Sequence, residues 1–174
     1  MDGNGIVAAV RARFPDAVVA DGAAAKDPWI QVAPVAVADV MRHLRDAPDL
    51  AFDHLVCVTG VDLTGIAEKP DLRCVWHVAS YAHGHQITVR ADVPRDAAVL
   101  GSVTGIWPSA AWHERETWDL LGIRFEGHPD LRRILLPEEW VGHPLRKDWK
   151  EAPRALGFPT TRRTLLDEIR GGNG

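Results

Sequence analysis

Residues 72–93 read LRCVWHVASYAHGHQITVRADV, and apolar side chains recur at every second position in both halves of this stretch. Leu, Cys, Trp and Val occupy positions 72, 74, 76 and 78, while Ile, Val, Ala and Val occupy positions 87, 89, 91 and 93. A period of two directs alternate side chains to the same face of a β-strand. Because Ala82, His83 and Gly84 separate the halves, the stretch predicts two antiparallel strands joined by a tight hairpin.

Periodicity predicts further elements on both sides of this hairpin. The expected helices cover residues 4–14, 37–46 and 109–122, and the expected additional strands cover residues 16–20, 29–33, 51–63 and 123–125. Asn4 and Ser109 are favourable N-cap residues for the first and third helices, and Gly122 is a favourable residue just past the third. Residues 94–106 read as a loop.

The order of these elements predicts an α+β fold. We expect residues 1–126 to form a two-layer core domain, with a mixed, mostly antiparallel sheet and helices on one face. Prolines follow at positions 129, 137, 144, 153 and 159, and they forbid long regular elements. Residues 127–174 are therefore predicted to form an irregular C-terminal arm and tail that binds a partner.

Composition excludes several classes of protein. The 174 residues suffice for one domain with its own core, and 46% hydrophobic and 25% charged residues are ordinary globular values. A net charge of −4 without blocks of like charge argues against nucleic-acid binding. No run approaches the roughly 20 apolar residues that span a bilayer, and residues 1–5 lack signal-peptide features. We expect any membrane association to go through a partner.

The two cysteines, Cys57 and Cys74, lie within apolar stretches. They read as small buried hydrophobic residues rather than as a disulfide. Two thiols cannot supply the four ligands of common iron–sulfur clusters, so we expect no cluster in this chain.

Residues 114–149 combine fourteen charged side chains of nearly balanced sign with Trp118, Trp140 and Trp149. Tryptophan and arginine supply much of the binding energy at protein interfaces, so the segment reads as a surface that meets another protein.

A helical projection of residues 109–122 places Glu114 in the apolar half of the third helix. A carboxylate there needs a cationic or donor partner, or its pKa must rise. We expect an ion pair from Glu114 to Arg132 or Arg133. Arg115 and Asp119 stand four residues apart and are expected to pair on the outer face.

His128 and His143 lie in two similar Gly-His-Pro sequences. With Glu114, Glu116 and Asp119 they could form a metal site or an acid/base centre of a small stand-alone enzyme, provided that three ligands converge. The favoured reading is that glycine and proline fix a turn while each imidazole bonds to backbone carbonyls.

The segment from Trp112 to Trp149 closely resembles the signature of the C-type subunits of NADH-quinone oxidoreductase, the thirty-kilodalton-type subunits of respiratory complex I. Leu121 and Trp149 stand where that family often has Phe and Tyr. The matching positions are Trp112, Glu114, Arg115, Glu116, Asp119, Gly122, Ile123, Phe125, residues 127–135, Pro137, Trp140 and residues 142–148.

This resemblance implies a structural and assembly subunit in the peripheral arm of a proton-translocating NADH:quinone oxidoreductase, without a catalytic centre or prosthetic group of its own. The complex would use NADH, FMN, iron–sulfur clusters and quinone. The implied partners are the quinone-site large subunit (D type) and the cluster-carrying subunit (B type). The implied place is the cytoplasmic side of the cell membrane, held there through these partners.

The resemblance also implies how the signature residues divide between two roles. Four residues of the third helix would support the arm: Glu114, Arg115, Glu116 and Asp119. The remaining signature residues would form the arm and meet the partner: His128, Arg132, Arg133, Trp140, His143, Arg146, Lys147 and Asp148. Related subunits serve membrane-bound nickel–iron hydrogenases and complexes with other electron donors, so an equivalent role there is the alternative.

Overall fold

The computed structural model describes residues 1–69, 71–150, 154–155 and 158–159. The alternating stretch forms the predicted hairpin, with β4 at Leu72–Ser80 and β5 at His85–Val93 paired antiparallel. Gly84 closes the turn at a φ of +64°, a left-handed conformation that glycine adopts without steric cost.

Three more strands extend this hairpin into one five-stranded sheet. β3, His54–Asp62, pairs antiparallel with β4. On the other side β2, Trp29–Val32, runs parallel to β5, and β1, Val18–Asp21, is antiparallel to β2. The order β1-β2-β5-β4-β3 confirms the predicted mixed, mostly antiparallel sheet.

Three α-helices cover one face of the sheet. They are α1 at Gly3–Arg13, α2 at Val37–Asp46 and α3 at Ala110–Leu121. Apolar residues of all three pack into one core with the inward side chains of the strands, including Trp76, which is completely buried. The structure therefore confirms the α+β architecture. Among the described residues, none of the helices has the length and apolar character needed to cross a membrane.

The expected N-cap residues of α1 and α3 are wrong, whereas the expected C-terminal residue of α3 is confirmed. Asp2, not Asn4, caps α1 by accepting a hydrogen bond from the Gly5 N–H at 2.9 Å. The Ser109 side chain makes no capping bond to α3. Gly122 ends α3 in the left-handed conformation, as predicted.

The expected loop over residues 94–106 contains a strand that the sequence did not indicate. Val99–Gly101 forms β6, which pairs parallel with β7 at Arg124–Glu126. Leu100 and Phe125 face each other in this register and are both buried, so apolar packing stabilises this short pairing.

Close contact between α3 and β3 depends on Gly60. A Cβ atom at this position would lie 2.4 Å from Leu121 Cδ1. Glycine therefore lets the C-terminal end of α3 rest directly on the strand.

The chain beyond β7 contains no helix through residue 150. Past that point only two short paired strands, Arg154–Ala155 and Phe158–Pro159, are described. The rest of the predicted tail therefore lies outside the described residues.

Candidate partner-binding surface

The arm, residues 127–149, satisfies the C-terminal end of α3. The last four carbonyls of an α-helix have no partners within the helix. Gly122, just past the helix, donates its N–H to the Trp118 carbonyl at 2.8 Å. The arm supplies donors to the other three carbonyls: His143 Nδ1–H to Asp119 at 2.9 Å, Leu145 N–H to Leu120 at 3.1 Å and Arg146 Nε–H to Leu121 at 2.7 Å. The Arg146 cation also lies at the negative end of the helix dipole.

Asp119 fixes the first half of the arm. Its carboxylate is fully buried and accepts hydrogen bonds from the N–H groups of Ile134, Leu135 and Leu136 at 3.0, 2.9 and 2.9 Å. Arg133 adds an ion pair at 2.8 Å. Burial alone would raise the pKa of Asp119, but these donors outweigh it and lower the pKa. Asp119 is therefore a buried anchor for three consecutive backbone groups.

The predicted pair between Arg115 and Asp119 is wrong. Arg115 instead donates to the carbonyls of Arg132 and Arg133, both at 3.0 Å. The arm crosses the side of α3 that the helical projection assigned to solvent, so both residues face the arm rather than each other.

The predicted ion pair of Glu114 is also wrong. Glu114 is fully buried, and it accepts hydrogen bonds from Ser102 Oγ at 2.6 Å and the Val103 N–H at 2.7 Å. Burial raises its pKa to about 7, although both hydrogen bonds lower it. The carboxylate ties α3 to the loop after β6, and neither Arg132 nor Arg133 reaches it.

A second buried carboxylate, Asp62 at the end of β3, holds the other half of the arm. It pairs with Arg95 and accepts a hydrogen bond from the Lys147 N–H at 2.8 Å. Arg95 also bonds Asp148 at 2.9 Å, and Lys147 Nζ donates to the Thr64 carbonyl at 2.7 Å. Burial alone would raise the pKa of Asp62, but the hydrogen bonds from Arg95 and the surrounding N–H donors outweigh burial, so the pKa is lowered.

Sequence reasoning missed Asp62 and Arg95, which lie 33 positions apart. The one available signal was the position of Asp62, an acid at the end of an apolar strand pattern.

The two Gly-His-Pro sequences form turns, as favoured. Gly127 and Gly142 both have a φ of +81°. His128 Nε2–H donates to the Ala111 carbonyl at 3.1 Å, and His143 donates to that of Asp119. These carbonyls are eight residues apart on α3, or about 12 Å at 1.5 Å per residue.

The side chains of the predicted metal or acid/base centre do not converge at one point. His128, His143 and Glu114 bind three different parts of the chain, and no group of three potential metal ligands occurs among the described residues.

The arm exposes apolar side chains around the end of α3. Leu135, Val141 and Leu145 are 59%, 86% and 56% exposed. The N–H groups of Leu135 and Leu145 bond to Asp119 and Leu120, so both residues are held at the C-terminal end of α3.

The arm and α3 also carry aromatic and charged signature residues. Trp140 stacks on Trp149 with ring centroids 5.8 Å apart. Arg132 is exposed and pairs with Asp130 at 3.0 Å, while Glu116 lies exposed on α3. The arm thus carries exposed apolar side chains together with aromatic and charged groups, a composition that is typical of an interface.

Comparisons with known proteins identify the family of the chain. The family described as respiratory-chain NADH dehydrogenase, 30 Kd subunit, matches residues 30–155. The chain is 41% identical over 148 residues to the C-type subunit of NADH-quinone oxidoreductase from Roseiflexus sp. (strain RS-1), covering 85% of this chain and 84% of the relative. It is 46% identical over 123 residues to the corresponding protein of Thiobacillus denitrificans (strain ATCC 25259 / T1), covering 68% and 62%.

Solved structures share the fold. A trypsin-resistant fragment of Nqo5 has a TM-score of 0.63 at 27% identity, covering 75% of this chain and all of the fragment. A chain of the membrane-bound sulfane sulfur reductase, an archaeal respiratory membrane complex, has a TM-score of 0.69 at 24% identity, covering 85% of both chains. The range that the family matches includes most of the sheet, α3 and the arm, and the chain belongs to the family of 30-kilodalton subunits of the respiratory-chain NADH dehydrogenase.

Proposed function

We propose that this chain is a structural and assembly subunit of a proton-translocating NADH:quinone oxidoreductase, in which the arm binds a neighbouring subunit. The family and the names of its relatives support membership in such a complex. The observation that carries the role is the arm itself, since buried carboxylates hold it in place while its aliphatic side chains stay exposed.

The arm is preorganised for binding. Binding of a flexible segment costs the free energy of ordering it, and a segment that is already fixed avoids much of that cost. Asp119 and Asp62 fix the two halves of the arm through backbone N–H groups, so Leu135, Val141 and Leu145 are presented in one conformation. Burial of these three side chains would supply the apolar centre of the interface.

The polar signature residues divide differently from the sequence-based expectation. Arg133 and Arg146 bind Asp119 and the Leu121 carbonyl, so they support the arm. Arg132 remains exposed on the arm and is the charged residue that we expect to contact the partner.

The partner that we propose is the quinone-site large subunit (D type), with the cluster-carrying subunit (B type) nearby. The core domain over 1–126 would provide the scaffold and residues 127–174 the contact. In this arrangement the chain itself binds no cofactor; its neighbours in the complex hold FMN, iron–sulfur clusters and quinone and oxidise NADH. The complex lies at the cell membrane with this chain on the cytoplasmic side.

The alternative is an equivalent subunit of a membrane-bound nickel–iron hydrogenase or of a complex with another electron donor. The relatives above 40% identity are named as parts of NADH-quinone oxidoreductase, which favours NADH as the donor. Identification of the proteins that co-purify with a tagged copy separates the two: an NADH-binding module supports the proposal, and hydrogenase subunits support the alternative.

The decisive test replaces Val141 by glutamate in a tagged chain that complements a deletion strain. We expect recovery of the assembled complex to fall about tenfold or more, equal to at least about 1.4 kcal/mol of lost binding. Val35→Glu is the matched control, because Val35 is 93% exposed and lies outside the arm. Both isolated chains should melt like the wild type. Full assembly with Val141→Glu would contradict the proposed role of the arm.

A further inference from the structure

The sheet face opposite the helices carries a small apolar patch among polar side chains. When helices cover one side of a mostly antiparallel sheet, the other side normally carries polar residues. Here Val61 on β3 and Val75 on β4 lie on that side with Trp29 on β2, and Val75 is only 9% exposed. This patch interrupts a face that is otherwise polar, with Arg73, His77, Thr88 and Asp92 among its outward side chains.

A cavity of about 370 Å³ opens on this face. Trp29, Val61, Leu63, Ile66 and Val75 give it apolar walls, and Arg73 and Arg90 supply positive charge. Asp27 lies exposed at its edge.

A second cavity, of about 300 Å³, shares Asp27 and Thr88 with the first. It continues along the same face to Val56 and His77. Together the two cavities form a groove, which we call the open-face groove.

Arg90 is the unsatisfied group in the open-face groove. Its guanidinium carbon lies 3.3 Å from the centroid of the Trp29 ring, and its buried Nε has no hydrogen-bond partner among the described residues. The neighbouring Arg73 shows the contrast, because it pairs with both oxygens of Asp92 at 2.6 and 2.8 Å. Arg90 makes no hydrogen bond or ion pair within the described part of the chain. Because its Nε is shielded from solvent, a partner's carboxylate, the natural acceptor for a guanidinium, would bind the terminal N–H groups instead.

We propose that the open-face groove binds an extended segment of a neighbouring subunit, which places an Asp or Glu carboxylate on Arg90 and an aliphatic side chain against Val75. Trp29 stacks on the guanidinium and excludes water from the resulting ion pair, which strengthens it. This contact is separate from the arm, and it rests on the proposed function only in requiring a neighbouring subunit.

The shape of the groove favours a polypeptide over a small carboxylate. Ile66 lines the first cavity and Val56 the second, and these side chains are 67% and 50% exposed. A small molecule would leave these side chains uncovered, whereas an extended chain that advances about 3.3 Å per residue can contact both.

Two measurements on the assembled complex test the groove. In the first, a photo-reactive benzoylphenylalanine replaces Ile66 in the tagged full-length chain. Irradiation should cross-link a neighbouring subunit at a peptide that contains Asp or Glu. In the second, Arg90→Glu and Arg90→Gln should lower recovery of that neighbour about tenfold and about threefold. Arg42→Glu, an exposed arginine on α2, is the matched control and should assemble normally.

Each outcome decides for or against the proposal. Assembly of both Arg90 variants at the wild-type level, with melting temperatures unchanged, would overturn it. So would the absence of a cross-link from position 66, or native mass spectrometry that finds a small carboxylate bound to the wild-type chain and lost from Arg90→Gln. Val141→Glu, measured in parallel, separates the two surfaces. If this variant assembles normally, the proposed role of the arm is contradicted while the groove proposal is unaffected. Reversal of the cross-linked carboxylate to lysine should restore assembly with Arg90→Glu.

Discussion

Replacement of Asp119 by alanine removes the buried carboxylate that holds the first half of the arm. Three backbone N–H groups and the Arg133 guanidinium lose their acceptor in one step. Hydrogen bonds to charged groups contribute about 1.5–3 kcal/mol each, and breaking a buried ion pair costs about 3–5 kcal/mol. Because a released arm can hydrate its freed donors, these contributions do not add, and we expect a total loss of about 4 kcal/mol, the middle of the range for the ion pair alone.

Amide hydrogen exchange of residues 134–136 measures this loss directly. At about 1.36 kcal/mol per factor of ten, a loss of about 4 kcal/mol corresponds to roughly a thousandfold faster exchange of these amides. Exchange of β4 and β5 should change far less, since the arm does not pair with these strands. Urea unfolding gives the accompanying change in global stability.

Glu116→Ala is the matched control for this experiment. Glu116 lies on the same helix, is exposed, and makes no hydrogen bond or ion pair within the described part of the chain. It should leave exchange of residues 134–136 unchanged. The reasoning is refuted if the exchange rates of these amides in Asp119→Ala stay within about tenfold of the wild-type rates.

Buried groups and strained turns support three more predictions. Glu114 has its pKa raised to about 7, so the folded state holds its proton more tightly than the unfolded state; stability should fall by roughly 3 kcal/mol as pH rises from about 4.5 to 7. Urea unfolding at pH 5 and pH 8 should show this fall in the wild type and in Glu116→Gln, but not in Glu114→Gln. Gly122→Ala should cost about 2–3 kcal/mol, because a Cβ there lies 2.5 Å from the His143 ring, whereas Gly84→Ala, with a similar positive φ and open space, should cost only about 1 kcal/mol. Thermal and urea unfolding of the two alanine variants measure this difference. Arg95→Gln should detach the second half of the arm and raise hydrogen exchange at Lys147 about a hundredfold, without the same effect at residues 134–136, since those amides bind Asp119.

Features encoded by short-range patterns could be predicted from the sequence. The hairpin over residues 72–93 follows from a period of two, and its turn requires only local glycine chemistry. The end of α3 at Gly122 and the turns at Gly127 and Gly142 are equally local, because each depends on a glycine in the left-handed conformation. In each case one stretch of chain contains both the signal and the structure that it specifies.

Contacts between distant segments could not be predicted in the same way. A helical projection treats the polar side of α3 as solvated, yet the arm covers that side and buries Asp119. The expectation for Glu114 identified a buried carboxylate that needs a donor but assumed a cation, while a hydroxyl and a backbone N–H from the loop after β6 fill that role. Backbone donors carry no residue-type signal, so the sequence does not reveal them.

This use of backbone donors explains how the carboxylates determine the shape of the arm. A cation on a long side chain can reach a carboxylate from many backbone conformations, but an N–H group can do so only when its own peptide is correctly placed. Asp119 bonds three consecutive N–H groups and Asp62 bonds that of Lys147, so the chain path is fixed at two separated points. Between these points lies Val141, which is 86% exposed. In the proposed function, the free energy of these buried charges holds an apolar side chain in solvent in one conformation, so that a partner subunit can bind it at low entropic cost.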